Sequence, residues 1–316
     1  MTMPWVLSAL GLLILLLAGD ALVRGAVNLS LRLGVPALIV SLTIVAFGTS
    51  APELLIAISA IKDNAPGIAL GNVVGSNTAN ILMVLGIPAL LAPLHTSECD
   101  TRKTYVFMIG ASVLFIALAF VGTFTMATGA VLLAALAFIL FDAFRDAQKH
   151  RRAGQETELE DVEGADPDMP YWRIAVYLVL GLIGLPLGAN LLVENASIIA
   201  RTYGISDTVI GLTLVAVGTS LPELATTVMA ALRRQADVAL GNVIGSNMFN
   251  LLAIIGIATF VGPIPVDPEF LRFDLWVMLG ASVLLVPFVF WRQDITRIWG
   301  VILTVIYLAY LAAVLI

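Results

Sequence analysis

The chain has 316 residues, of which 60% are hydrophobic and 12% charged, with a net charge of −6 and a mean hydropathy of +1.01. These values exclude a soluble globular domain, and an acidic chain this poor in Lys and Arg offers no footprint for nucleic acid. Most of it belongs in lipid.

A bilayer-spanning helix needs about 20 predominantly apolar residues. On that criterion ten spans are predicted, at 4–23, 35–61, 66–92, 104–121, 127–144, 173–193, 205–231, 238–261, 273–291 and 297–315. The first lacks the basic flank of a cleaved signal peptide and is expected to be retained. The second, third, seventh and eighth are long enough to need a tilt or a break, and Gly, Pro and polar residues within them supply one. Cys99 is the single cysteine, which excludes an intramolecular disulfide framework and a multi-cysteine metal site, and it reads as a small loop residue.

One segment looks soluble. Residues 145–172 begin basic and then carry Glu156, Glu158, Glu160, Asp161, Glu163, Asp166 and Asp168, the pattern of a solvated linker. A Ca²⁺-sensing role for it lacks the D-x-[DN]-x-[DN]-G spacing of an EF-hand loop.

The chain is duplicated. Residues 42–54 (LTIVAFGTSAPEL) and 212–224 (LTLVAVGTSLPEL) agree at 10 of 13 positions, and 69–77 (ALGNVVGSN) and 239–247 (ALGNVIGSN) at 8 of 9, both at an offset of 170. The expected organisation is a first five-helix repeat over 1–144 with its motif region at 34–92, the linker 145–172, and a second repeat over 173–316 with its motif region at 204–262. An odd number of spans per repeat sends the second copy into the membrane from the opposite side, so the fold class is an all-α membrane protein of two inverted-topology repeats, an architecture typical of secondary transporters. With both termini outside, Arg24, Arg32, Arg102, Lys103, Arg145, Lys149, Arg151, Arg152, Arg173, Arg233, Arg234, Arg292 and Arg297 fall on the cytoplasmic side, and only Lys62, Arg201 and Arg272 fall outside. That asymmetry obeys the positive-inside rule.

Two glutamates, Glu53 and Glu223, lie within apolar spans. A carboxylate at membrane depth costs at least a few kcal/mol and marks a functional site by default. On a helix, Thr49 and Ser50 share a face with Glu53, as Thr219 and Ser220 do with Glu223. Pro52 and Pro222 remove a backbone donor and crowd the carbonyls of Gly48 and Gly218, so the helix is expected to kink and release carbonyl oxygens. The following helix brings Asn72, Ser76 and Asn80, and in the second half Asn242, Ser246 and Asn250, at i, i+4 and i+8, with Asn77 and Asn247 beside them. Gly71 and Gly75, like Gly241 and Gly245, form small-residue stripes that let helices approach. Every donor here is oxygen, which with two carboxylates suits a hard cation such as Ca²⁺ or Na⁺ rather than Zn²⁺ or copper. Taken singly, Ser76 or Asn77 reads equally well as interhelical glue. Asp20, facing Asn190 in the repeat, has two readings, a direct role in transport or a carboxylate near a helix end within reach of interfacial water.

These paired motifs, G-T-S-x-P-E followed by G-N-x-x-G-S-N-x-x-N, resemble the two α-repeats of the sodium/calcium exchanger family of Ca²⁺/cation antiporters, most closely its compact prokaryotic members. The resemblance implies ion binding by the Glu53 and Glu223 carboxylates and by the oxygens of Thr49, Ser50, Thr219, Ser220, Ser76 and Ser246. Main-chain carbonyls of Ala46, Thr49, Ala216 and Thr219 complete the implied shell, with Asn80 and Asn250 lining its centre. It also implies that the first and sixth helices slide across this core to open it alternately to each side. Some members, notably those that also move K⁺, carry Asp where this chain has Asn250, so the site here holds two formal negative charges rather than three.

The expectation is therefore an antiporter of the prokaryotic inner membrane that exchanges Ca²⁺ for Na⁺ at one midplane site, with no cofactor and the lipid bilayer as its setting. The nearest alternative keeps the fold and uses H⁺ as counter-ion. An intramembrane serine enzyme needs a base beside its nucleophile, and both His95 and His150 lie in loops. A non-transporting scaffold leaves the charged motifs unexplained.

Overall fold

The computed structural model describes residues 2–153, 166–204 and 216–315. It is an all-helical membrane protein apart from one pair of two-residue strands, β1 (Thr123–Phe124) and β2 (Ile264–Pro265), which pair antiparallel. Eight helical segments among the described residues are long and apolar enough to cross a bilayer: Thr2–Leu33, Ala37–Lys62, Pro66–Leu91, Arg102–Ala119, Met126–His150, Tyr171–Thr202, Ala236–Ala258 and Phe270–Phe290. Two shorter apolar helices, Leu221–Leu232 and Arg297–Ala313, correspond to the expected seventh and tenth spans. The start of the seventh, residues 205–215, lies outside the described residues.

Helix α1 is Thr2–Leu33, and the second span is broken into α2 (Ala37–Val40), a π-helical turn (Ser41–Val45), α3 (Ala46–Thr49) and α4 (Ala51–Lys62). Next come α5 (Pro66–Leu82), α6 (Gly86–Leu91), α7 (Arg102–Ala119) and α8 (Met126–Ala153). In the second half are α9 (Tyr171–Thr202), α10 (Ala216–Thr219), α11 (Leu221–Leu232), α12 (Ala236–Met248), a π-helix (Phe249–Ile254), α13 (Ile255–Ala258), α14 (Pro268–Arg272), α15 (Asp274–Val283), α16 (Val286–Phe290) and α17 (Arg297–Leu315).

Three boundaries differ from the sequence reading, the simplest being the sixth span, expected at 173–193, which α9 carries on to Thr202. Helix α8 runs on to Ala153, past the expected end of the fifth span at 144, because Asp142 and Asp146 one turn apart both engage Lys103 at the start of α7 and hold the emerging helix. The first span is likewise longer than 4–23, since α1 continues to Leu33. At its far end Asn28 accepts a hydrogen bond from the Asp166 backbone at 2.8 Å and Arg32 stacks on the Tyr171 ring at 4.7 Å. Those contacts dock the described end of the linker onto α1. The acidic positions Glu156, Glu158, Glu160, Asp161 and Glu163 lie outside the described residues.

Burial sorts the helices into centre and periphery. The most apolar window of Ala236–Ala258 is entirely buried and that of Pro66–Leu91 83% buried, against 33% and 22% for Thr2–Leu33 and Tyr171–Thr202. The motif helices α5 and α12 thus form the core, and α1 and α9 lie across it as an outer pair. Glycines permit that pairing. A Cβ on Gly11 would lie 2.6 Å from the Leu192 nitrogen, and one on Gly181 2.5 Å from the Leu22 Cβ. Leu17 of α1 and Leu187 of α9 point outward, in keeping with lipid contact.

The halves reciprocate each other. Gly129 packs on Gly256 and Thr259, and Gly300, 171 residues on, packs on Gly86 and Ala89, which precede Gly256 and Thr259 by 170. Asn64 (φ 57°) and Arg234 (φ 55°) end α4 and α11 in the same left-handed conformation. Gly241 and Gly245 lie against Leu38, Ser41, Leu42 and Ala46, where a Cβ would meet backbone oxygen at 2.8 and 2.6 Å, as the small-residue stripe requires. The corresponding partners of Gly71 and Gly75, at 208, 211 and 212, fall outside the described residues.

At the linker-side loops, Cys99 sits against His95 and Asp237. Burial and the neighbouring carboxylates push its thiol well above the usual range, so it stays protonated and unreactive. Burial works to raise the nearby Asp294 carboxyl, but hydrogen bonds from Ser97 and His95 outweigh it and hold it below the ordinary carboxylate value.

Candidate functional site

The kinks predicted from Pro52 and Pro222 are present. Ser50 (φ −85°, ψ 3°) separates α3 from α4, and Ser220 (φ −89°, ψ 5°) separates α10 from α11, each leaving helical geometry just before a proline in the first turn of the next helix. Each glutamate therefore stands in a helical first turn, where unpaired backbone N–H groups make the field favourable to negative charge. Both are 1% exposed.

Two half-sites meet across the core. Ser50 Oγ donates to Glu223 Oε1 at 3.4 Å, and Thr49 Oγ1 lies 3.3 Å from Asn242 Oδ1 and 3.4 Å from Ser246 Oγ. Residues almost 200 positions apart are thereby joined. Ser76 (4%), Asn80 (1%), Ser220 (1%), Ser246 (0%) and Asn250 (0%) are all buried, as is Ala46. Thr219 is half-buried, and α10 opens at Ala216.

What distinguishes the cluster is how little of its oxygen is satisfied. Glu53 Oε1 and Oε2, Glu223 Oε2, Ser220 Oγ, Asn80 Oδ1 and Asn250 Oδ1 are all buried without a hydrogen-bond partner. Buried polar atoms are almost always paired, so six orphaned oxygens on the motif residues, with Asn250 Nδ2 as an orphaned donor among them, need an explanation. Oxygens of this kind are the donors that a hard cation takes. Among the expected carbonyl ligands, Ala46 O is occupied in this conformation, since it accepts from Ser50 N at 3.1 Å and Thr49 Oγ1 at 3.3 Å.

Asp20 is an ion-pair residue: Arg233 Nε donates to its Oδ1, and Arg24 Nε lies 3.0 Å from its Oδ2. Asn72 is only half-buried, whereas its counterpart Asn242 is fully buried and donates to Thr227 Oγ1 at 3.3 Å and to the Glu223 carbonyl at 3.4 Å. Thr227 escaped the sequence reading. The signal was available, because the first repeat carries Ala57 at the matching position.

A cavity of about 400 Å³ adjoins the cluster on one side, lined by Gly48, Pro52, Leu55, Asn190, Thr219 and Pro222 among others. Thr219 thus faces open space while its counterpart Thr49 is 1% exposed.

Comparison with known proteins gives one consistent answer. Residues 3–144 and 173–316 match the family described as sodium/calcium exchanger protein. The sodium/calcium exchanger MaX1 of Methanosarcina acetivorans is 34% identical, with 98% of each chain covered. The inner membrane protein YrbG of Escherichia coli is 32% identical over 99% of this chain and 97% of its own. Among solved structures, the sodium-calcium exchanger NCX_Mj soaked with Na⁺ and Sr²⁺ superposes with a TM-score of 0.80 at 30% identity, covering 98% of this chain and 97% of the other.

Proposed function

Because the chain belongs to the sodium/calcium exchanger family, and is thus a multi-pass membrane antiporter rather than an enzyme, we propose that it exchanges Ca²⁺ for Na⁺ at one midplane site built around Glu53 and Glu223. The accompanying topology is ten spans in two inverted repeats, with both termini outside and residues 145–172 cytoplasmic. The basic-residue asymmetry and the reciprocal contacts between the halves support it.

The observation that carries the function is the set of unpartnered buried oxygens on both glutamates and their neighbours. An ionised carboxylate taken out of water without donors is strongly destabilised unless a positive charge neutralises it. Two carboxylates are balanced by one Ca²⁺ or by Na⁺ ions, and the same oxygens cannot serve both at once. Exchange follows when the empty, uncompensated site crosses the membrane poorly. With Asn250 neutral, Ca²⁺ alone balances the site, and no K⁺ is required.

The same carboxylate oxygens accept protons, so H⁺ as the counter-ion shares this site and the experiment must separate the two. Purified protein in liposomes loaded with Na⁺, K⁺ or choline at fixed pH should take up Ca²⁺ in response to the Na⁺ gradient only. Uptake driven by a proton gradient and indifferent to Na⁺ replaces Na⁺ with H⁺. If more than two Na⁺ return per Ca²⁺, flux also responds to voltage, at about 2.3 kcal/mol per elementary charge per 100 mV.

A further inference from the structure

Asn77 and Asn247, equivalent residues of the two repeats, cross at the centre of the molecule. Asn77 Nδ2 donates to the Asn247 carbonyl at 3.1 Å, and Asn247 Nδ2 donates to the Asn77 carbonyl at 3.4 Å. Each Nδ2 also faces a methionine sulfur at 3.8 Å, Met278 for Asn77 and Met108 for Asn247, and these methionines are themselves repeat equivalents. With the nitrogen end of both amides committed, each Oδ1 is the end left to accept. Asn247 Oδ1 accepts from Asn80 Nδ2 at 3.1 Å. That bond ties off the donor end of Asn80 and leaves its buried Oδ1 free of any hydrogen-bond donor.

A carboxamide has an acceptor end and a donor end of nearly the same size. A cation is attracted to one and repelled by the other. An asparagine in a cation site therefore needs a partner that holds its NH₂ group, or it presents either end. We propose that Asn77 and Asn247 are positioning residues of the ion site, each orienting an asparagine of the opposite repeat so that its oxygen faces the cation. Asn247 sets Asn80, and Asn77 sets Asn250.

Only the first of these bonds is closed here. Asn77 Oδ1 and Asn250 Nδ2 are both buried and both unpartnered, an acceptor and a donor that complete the counterpart bond. The backbone is alike in the two halves here: Asn250 lies in the π-helix Phe249–Ile254, and Asn80, near the end of α5, is spanned by an equally wide turn in which Val84 N donates to the Ala79 carbonyl at 2.9 Å. Closing the second bond as a cation engages Asn250 Oδ1 satisfies all three orphaned atoms. This inference rests on the site reading above, since it names what orients two of the ligands.

Equilibrium binding of radiolabelled Ca²⁺ to the purified full-length protein tests it as a double-mutant cycle. Asn247→Ala should weaken binding at least about tenfold, the usual consequence of removing the partner of a metal ligand. An aspartate offers oxygen at both ends, so in the Asn80→Asp background the same change should cost no more than about twofold, as for uncoupled sites. Equal losses in both backgrounds overturn the positioning role and leave the site intact. Unchanged binding by Asn80→Asp alone removes Asn80 from the site and takes the proposal with it. Asn77→Ala against Asn250→Asp repeats the cycle on the second half, with the same expectation. Asn247→Ser, too short to reach Asn80, replaces the alanine variant if that protein does not fold.

Discussion

The two ends of the outer helix pair are built from equivalent residues and packed differently. On the linker side, α1 sits directly on α11: a Cβ on Gly19 would lie 2.9 Å from the Ala225 carbonyl, and next to it Asp20 pairs with Arg233. At the equivalent place on the opposite side, Ala189 stands where Gly19 would, Leu55 replaces Ala225, Asn190 replaces Asp20 and Asp63 replaces Arg233. Ala189, Leu55 and Asn190 line the cavity of about 400 Å³ instead of closing it. A bulkier pair and a missing ion pair thus accompany the open end. Duplication supplies two matched ends, and at these four positions the second copy departs from the first.

The largest expected effect tests what the halves share. Glu53→Gln and Glu223→Gln should each abolish Ca²⁺ transport in liposomes while leaving membrane insertion intact, because each removes half of the buried charge. Full flux in either variant breaks the equivalence of the two half-sites.

Next in size is the tight end itself. Gly19→Leu places a side chain where there is none to spare, at a cost of about 1–3 kcal/mol, and should lift α1 from α11. Val23, 0% exposed, is the reporter. In a Cys99→Ser, Val23→Cys protein, thiol labelling from the linker side should rise about tenfold, the equivalent of ~1.4 kcal/mol. Labelling that does not change shows that glycine packing does not close this end.

Asp20→Asn removes the ion pair and retains the packing. Arg233 is 11% exposed, so losing a charge-assisted bond there is worth about 2 kcal/mol at most. The same reporter should respond in the same direction by less than for Gly19→Leu. Transplanting the pair with Asn190→Asp and Asp63→Arg should lower labelling at Val193→Cys, which lines the cavity. If neither end responds, the ion pair is incidental to the asymmetry.

The smallest effect is a control. Asn190→Ala, in open space beside the cavity, should alter the labelling rate at Val193→Cys by no more than a surface substitution does, within about 0.5 kcal/mol. A larger change means that the open end has a closure of its own.

The helical membrane class, most of the spans, the kinks at Ser50 and Ser220 and the depth of the two glutamates were legible in the sequence. Long apolar runs and a proline in a helix have local consequences that need no tertiary context. Repetition at a single offset made the paired motifs conspicuous, and the chemistry of Glu, Ser, Thr and Asn limited the site to oxygen. Pairings made between residues far apart in the chain were not legible. Thr227 holds Asn242 because α11 packs on α12, Asp20 is taken up by Arg233 because α1 seats on α11 through Gly19, and α8 outlasts its apolar run because Lys103 sits opposite two aspartates. Periodicity reports which face of a helix is buried and is silent about what it is buried against. The sequence by itself therefore determined the parts and the duplicated chemistry of this protein. Only the tertiary structure decided which asparagine is held and which is loose, and which end of the core is closed, because both depend on side chains from different helices meeting within hydrogen-bonding distance.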